Sequence, residues 1–510
     1  MRLKLGAPST NATLIGACLF ILGAWPAFLW EPPLQDLPLH MAASELLLHP
    51  EHAYDLVPNG AFRTNALCHT FMQLVGNLVG VPAAGRIFVI AALALVALAI
   101  PRFVRAFVGS RRMWTAAFLA GPLVHNWCVC AGFVNYVVAF GLSLLLLIAL
   151  RSQRRAPSFS LGAQIAALAL LTWYAHSVAL VIVCSLISVE WLSLGWAQKL
   201  RALRTILVPL LPAGGLILWS ALLHGDGSQL PSNPTTWLSP LELIVVYWKY
   251  GFGGFTWLSV PGAALAFALL GFALKSPARG VALMGARGAT FLMAAYVLLP
   301  SYASRWAFLN VRVLPFLMAS LLLCVPKVLG RRDKWLLGAV SVLVSLALGI
   351  DYHRLDQDRR HYMAGVDAVP EGAALLPLTF VTARSSTNTQ SLANAWGYYV
   401  VARHTEAPLM GADSKLYPWL RPKGQSFVAR IAGGAPEYRA ADCDIADYAF
   451  TTRAECRLVW SDGWVGYFTL AAQHYDTLLL WEAPEPVILG ATSRYEQSYR
   501  DADLVIMHRR

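Results

Sequence analysis

The connections between the apolar stretches of this chain are alternately basic and almost free of Lys and Arg, and the alternation runs unbroken to about residue 350. One set of connections holds Arg2/Lys4, Arg102/Arg105/Arg111/Arg112, Arg151/Arg154/Arg155, Lys199/Arg201/Arg204, Lys275/Arg279/Arg287 and Lys327/Arg331/Arg332/Lys334, 19 basic residues in all. The other set holds five, Arg63, Arg86, Lys249, Arg305 and Arg312, spread over longer loops. Cytoplasmic loops of membrane proteins carry the excess of Lys and Arg. The pattern therefore predicts a polytopic α-helical membrane protein with its N-terminus inside.

A bilayer crossing needs about 20 mainly apolar residues. Eleven stretches qualify, near residues 12–30, 86–104, 113–127, 131–150, 160–174, 177–196, 205–223, 256–274, 288–304, 311–328 and 335–350. The first follows Arg2 and Lys4 but runs on through Trp25, Phe28 and Trp30 with no small-residue cleavage pattern, so it reads as a retained helix and not a signal peptide. The segment 66–81 is apolar, yet a crossing there would place Arg102–Arg112 outside, and it is read as an interfacial helix in a first exoplasmic loop spanning 31–85. Eleven crossings put the C-terminus outside.

Charge divides the chain in two. Residues 1–350 hold 24 Lys/Arg against 9 Asp/Glu, and residues 351–510 hold 16 against 19, so the net charge of +12 arises from the membrane part. It tracks cytoplasmic loops, and nucleic acid is not expected as a partner. Residues 351–510 mix short β-rich runs, 375–381, 476–480 and 502–507, with polar helices, and are expected to form an exoplasmic α/β domain. Cys443 and Cys456 lie there, and an oxidising compartment would favour a disulfide between them. Cys128-Val129-Cys130 lacks a second pair at metal-ligand spacing.

The groups able to do chemistry sit at the outer ends of the spans. Asp36 is flanked by Pro33 and Pro38, which restrict its backbone, and His40 follows one helical turn later. A carboxylate beside an imidazole can act as a general-base pair, or Asp36 can simply cap a helix. His176 interrupts a short apolar hairpin next to Tyr174. Arg305 and Arg312 lie on the side where positive charge is scarce, and paired guanidiniums suit a phosphate or a diphosphate. No phosphate-binding glycine loop, dinucleotide fingerprint, H-E-x-x-H or G-x-S-x-G motif is present.

Asp36-Leu37-Pro38-Leu39-His40, Gly132-Phe133-Val134-Asn135-Tyr136, Tyr174-Ala175-His176 and Arg312-Val313-Leu314-Pro315-Phe316 carry a resemblance along nearly the whole chain. It resembles the GT-C superfamily of integral membrane glycosyltransferases, and within it a group of bacterial multi-pass members. The resemblance implies sugar transfer from a polyprenyl-phosphate carrier to a glycan, lipid or protein acceptor on the exoplasmic side of the inner membrane, with inversion. Asp36, aided by His40, would be the base, and Arg312, Arg305, His176, Asn135 and Tyr174 would bind substrate and phosphate. Many members carry paired acids for base and metal work. Asp36 has no adjacent acid, and Glu31 is the nearest, so a divalent metal has little support and no other cofactor is indicated. A transporter working through Glu190 and a non-catalytic assembly protein are the alternative readings.

Overall fold

The computed structural model describes residues 10–52, 56–58, 64–223, 233–251, 253–256, 258, 260–275, 285–304, 306–325, 330–384, 388–407, 420–422 and 462–510. It opens with α1 (Thr10–Ala24), the single turn α2 (Pro26–Leu29), α3 (Leu37–Leu48), α4 (Leu67–Val79) and the long α5 (Val81–Val108). Then come α6 (Ser110–Val124), the turn α7 (Trp127–Cys130), α8 (Val134–Arg155), α9 (Phe159–Ala175) and α10 (Ser177–Leu192). α11 (Trp196–Ala202) passes through a π-helical turn, Leu203–Leu207, into α12 (Val208–Leu223). α13 (Pro240–Tyr250), α14 (Val260–Lys275), α15 (Ala286–Leu298), α16 (Leu314–Leu322) and α17 (Arg331–Tyr362) complete the helical part.

Each of the eleven expected stretches overlaps a helix, the first covering both α1 and α2 and the ninth running past the end of α15. Among the described residues, four helical stretches are long and apolar enough to cross a bilayer alone: Val81–Val108, Val134–Arg155, Trp196–Trp219 and the stretch opening at Arg331. Shorter apolar helices accompany them. α17 runs through residue 350 to Tyr362, so the expected boundary at 350 lies inside a helix whose composition turns from apolar to Asp-, His- and Arg-rich.

α5 is the hub, packing on α1, α4, α6 and α8, and one continuous apolar core joins the helices. The outer faces are apolar too. Leu14 and Ile21 of α1, Leu211 and Leu218 of α12, and Leu343 and Leu346 of α17 are all more than half exposed. A water-soluble surface rarely shows this much contiguous apolar area, and a helix hydrophobic all round belongs in lipid. The chain is a multi-pass membrane protein.

Beyond α17 the described residues form a four-stranded mixed sheet in the order β5–β7–β9–β8. Its strands are β5 (Leu375–Thr379), β7 (Thr477–Trp481), β8 (Tyr495–Arg500) and β9 (Leu504–Arg509); the short strands β1 (Leu56–Pro58), β2 (Asn233–Thr236), β3 (Tyr302–Ser304), β4 (Trp306–Ala307) and β6 (Leu420–Pro422) pair elsewhere. β5 and β7 run parallel, while β9 is antiparallel to both β7 and β8. β7, Thr477-Leu478-Leu479-Leu480-Trp481, is buried at every position, as a strand covered on both faces must be. The helices Gly463–Ala471 and Glu485–Ala491 supply the core on one face. Tyr362 and α18 (Gly397–Arg403) supply it on the other.

α18 positions the site. One side of it, with Trp396 and Val400, packs against Leu39, Ala42, Ala43 and Leu46 of α3. The other side, with Tyr399, packs under the sheet, and the Tyr399 hydroxyl donates to the Tyr362 carbonyl at 2.7 Å. The contact with α3 is close enough that a Cβ on Gly397 would lie 2.4 Å from the Pro38 carbonyl oxygen.

Candidate active site

Asp36 is the N-cap residue of α3, and the chain before it is tied down by backbone bonds. The Gln35 amide donates to the Cys130 carbonyl at 3.1 Å, and the Asp36 amide to the Ala131 carbonyl at 3.3 Å. The turn that offers these carbonyls closes at Gly132, whose φ is +80°. A Cβ at Gly132 would sit 2.4 Å from the Asp36 nitrogen. Only glycine adopts this conformation cheaply and also admits so near a neighbour. The glycine of the Gly132-Phe133-Val134-Asn135-Tyr136 motif therefore exists to let Asp36 in.

Asp36 uses its side chain for something other than capping: its carboxylate makes no cap bond and accepts from Asn394 Nδ2 at 2.9 Å. Asn394 lies just before α18. Its segment is fixed to the helical part at several points. The Gln390 amide donates to Gln35 Oε1 at 2.9 Å, Trp127 Nε1 donates to the Asn388 carbonyl at 2.9 Å, and the Asn388 amide donates to the Phe255 carbonyl at 3.1 Å. Asp36 remains partly exposed. Burial nevertheless pushes its carboxyl up to about 7, against the opposing pull of Arg312 and the Asn394 hydrogen bond. A carboxylate poised near neutrality is suited to take a proton from a hydroxyl.

Arg312 sits in the 3₁₀ turn Val311–Val313 that leads into α16 and is buried. Its guanidinium lies 4.8 Å from the centre of the Phe133 ring, and the Tyr136 hydroxyl donates to its carbonyl. Arg312 Nη1 donates to His176 Nε2 at 2.7 Å. A guanidinium can only donate, so Nε2 is the acceptor and Nδ1 carries the ring proton. The 3.3 Å approach of the Val178 amide to Nδ1 is then a contact and not a hydrogen bond. Burial, reinforced by Arg312, holds His176 well below the usual imidazole range and hence neutral. Asp36, Arg312 and His176 thus converge from residues far apart in sequence.

Other expected residues stand elsewhere. The pairing of His40 with Asp36 is not what the fold makes. The carboxyl of Asp36 turns towards Asn394 and Arg312, whereas His40 Nδ1 lies 3.1 Å from His69 Nε2 of α4. The reason is that α3 is buried on nearly all sides, so His40, one turn along, is packed between α3 and α4. Burial pushes it down to about 4. Asn135 is engaged by backbone, accepting from the Cys68 amide at 2.8 Å and donating to the Asn65 carbonyl at 3.1 Å. It anchors the start of α4. The Tyr174 hydroxyl bonds Thr70 and its carbonyl accepts from the Ala66 amide at 3.1 Å, which ties α9 to α4. Glu190 forms an ion pair with Arg154 at the far ends of α10 and α8. Arg305, Cys443 and Cys456 lie outside the described residues.

Reasoning from the sequence missed Asn394, Phe133 and Tyr136 as parts of the site. Phe133 and Tyr136 belong to the quoted motif, and their aromatic faces beside a lone outer arginine were a usable signal. Asn394, 358 residues from its partner, left none. A second acid, Glu31, interacts with Arg359, Arg86 and Asp356, and burial raises its carboxyl above the usual range.

Solved structures share the overall fold. ArnT from Cupriavidus metallidurans bound to undecaprenyl phosphate is similar at a TM-score of 0.52, with 11% identity and 98% of each chain covered. The apo state of the same protein gives 0.55, with 12% identity over 98% of this chain and 97% of that one. The arabinofuranosyltransferase AftD from Mycobacteria gives 0.51 with 13% identity, covering 99% of this chain and 42% of AftD. No family model matches the chain, and no curated protein is similar to it in sequence. At these identities the likeness is one of fold, and the chain shares its fold with these two proteins.

Proposed function

We propose that the chain is a glycosyltransferase that moves a sugar from a polyprenyl-phosphate carrier to an acceptor hydroxyl, with inversion at the anomeric carbon. The observation that carries this reading is the convergence of a carboxyl near neutrality, Asp36, with a buried guanidinium, Arg312. Asp36 takes the proton of the acceptor hydroxyl as its oxygen bonds the anomeric carbon. The bond from that carbon to the carrier phosphate breaks, and the phosphate leaves with the electron pair towards Arg312. A guanidinium has five donors and His176 takes one, so a bidentate hold on phosphate is compatible with the observed bond. Arg305 is a second candidate for the phosphate. His40, bonded to His69, is assigned no proton-transfer step. The ArnT structure bound to undecaprenyl phosphate supports a polyprenyl-phosphate carrier as partner.

The charge alternation supports a site on the exoplasmic face of the inner membrane, N-terminus inside and C-terminus outside. The acceptor would be a glycan, a lipid or a protein.

The test is transfer of labelled sugar from a panel of polyprenyl-phosphate sugars by the purified chain in proteoliposomes. Asp36→Asn keeps the oxygen that accepts from Asn394 and removes the base, a loss of roughly 10²–10⁴-fold. Full activity in that folded variant would end the proposal, and so would the wild type's failure with every donor of the class.

A further inference from the structure

α8 and α10 both start at the candidate site, with Tyr136 near the head of one and His176 immediately before the other. At 1.5 Å per residue they end roughly 24–33 Å away. Their far ends meet in a second polar cluster, built from Arg151, Arg154 and Arg155 of α8 and Glu190 of α10. Arg154 is paired with Glu190. Two adjoining cavities open there, sharing Arg154, Ile187, Glu190 and Ile206.

The two cavities differ in chemistry. The first, of about 300 Å³, is lined by Arg151 and Arg155 together with Phe107, Leu147 and Leu150. Arg151 stacks 4.7 Å from the centre of the Phe107 ring, and its Nε is buried with no hydrogen-bond partner among the described residues. A buried donor left in that state calls for an acceptor. The second, of about 330 Å³, is an apolar groove walled by Leu180 and Cys184 of α10 and Leu203 and Leu207 of the π-helical turn, running on to Gly214 of α12. π-turns are rare and often mark functional sites. A basic chamber joined to an apolar groove at the end of membrane helices has the form of an amphiphile with an anionic head.

We propose that this is a binding site for an anionic phospholipid of the leaflet at this end of the helices, with its phosphate on Arg151 and Arg155 and one acyl chain in the groove. Three arginines face one carboxylate, so the cluster keeps an excess of positive charge that a phosphodiester complements. By the charge alternation this is the cytoplasmic leaflet. The site does not depend on the proposed transfer reaction.

Native mass spectrometry of the purified full chain, titrated with phosphatidylglycerol, phosphatidylcholine, undecaprenyl phosphate and inorganic phosphate, tests it. Phosphatidylglycerol should bind about tenfold or more tightly than phosphatidylcholine, a gap of about one order of magnitude in Kd. Arg155→Gln, at an exposed position, and Arg151→Gln should each narrow that gap. Gly214→Phe should weaken phosphatidylglycerol binding at unchanged Tm, because a Cβ at Gly214 meets nothing within 4 Å and the ring can enter the groove. Equal retention of the two phospholipids would overturn the proposal. So would tighter binding of undecaprenyl phosphate, competition by inorganic phosphate at equal concentration, or indifference to Gly214→Phe.

Discussion

At the scale of the residue, Asp36 sets the pH behaviour expected of this protein. Only its carboxylate can take a proton, so kcat/KM should fall about tenfold per unit below pH 7 and level off above it. Asn394 favours the charged form, and Asn394→Leu, which removes the donor at nearly constant volume, should move the midpoint to higher pH. An unmoved profile would show that another group titrates. The same shift has a sign for stability. The folded carboxyl protonates near 7 and the unfolded one near 3.8, so ionising Asp36 costs folding free energy from about pH 4 upwards and in full above about 7. Asp36→Asn should therefore raise Tm at pH 8 and leave it unchanged below pH 4, measured by thermal unfolding in detergent. A gain of stability together with a loss of transfer marks a group placed for work at the expense of folding.

At the scale of the element, the contact between α3 and α18 holds Asn394 over Asp36. Gly397→Ala would put a methyl 2.4 Å from the Pro38 carbonyl oxygen, so one backbone has to move. Overpacking of this kind costs about 1–3 kcal/mol. Transfer should fall by more than the Tm shift accounts for, because Asn394 moves with α18, whereas Gly271→Ala, in open space, should leave both intact. The elements also show what the sequence makes readable. A run of apolar residues between arginines announces a membrane helix wherever it packs, and β5, β7 and β9 stand out as short apolar runs. β8, Tyr-Glu-Gln-Ser-Tyr-Arg, was missed because an edge strand faces water at most positions and shows no apolar face. That Asp36, Arg312 and His176 lie at neighbouring helix ends was legible from depth and side. The bonding of His40 to His69 was not, since helical spacing fixes which residues share a face but not which way a buried ring turns.

At the scale of the whole molecule, the proposed orientation can be checked with reporters. Alkaline phosphatase fused after Arg510 should be active and a green fluorescent protein there dark, with the reverse for fusions in the loop around Arg155. The opposite outcome would place the site in the cytoplasm. The hydrogen bond from Asn394 to Asp36 also spans 358 residues of sequence, and that separation is a matter of time as well as space. At ~5–20 residues per second, a ribosome needs roughly 20–70 s to add the later partner once the earlier has been made. Through that interval Asp36 stands without Asn394. A chain whose synthesis stalls before residue 394, or that a protease clips after α17, therefore keeps Asp36 without the donor that favours its charged form.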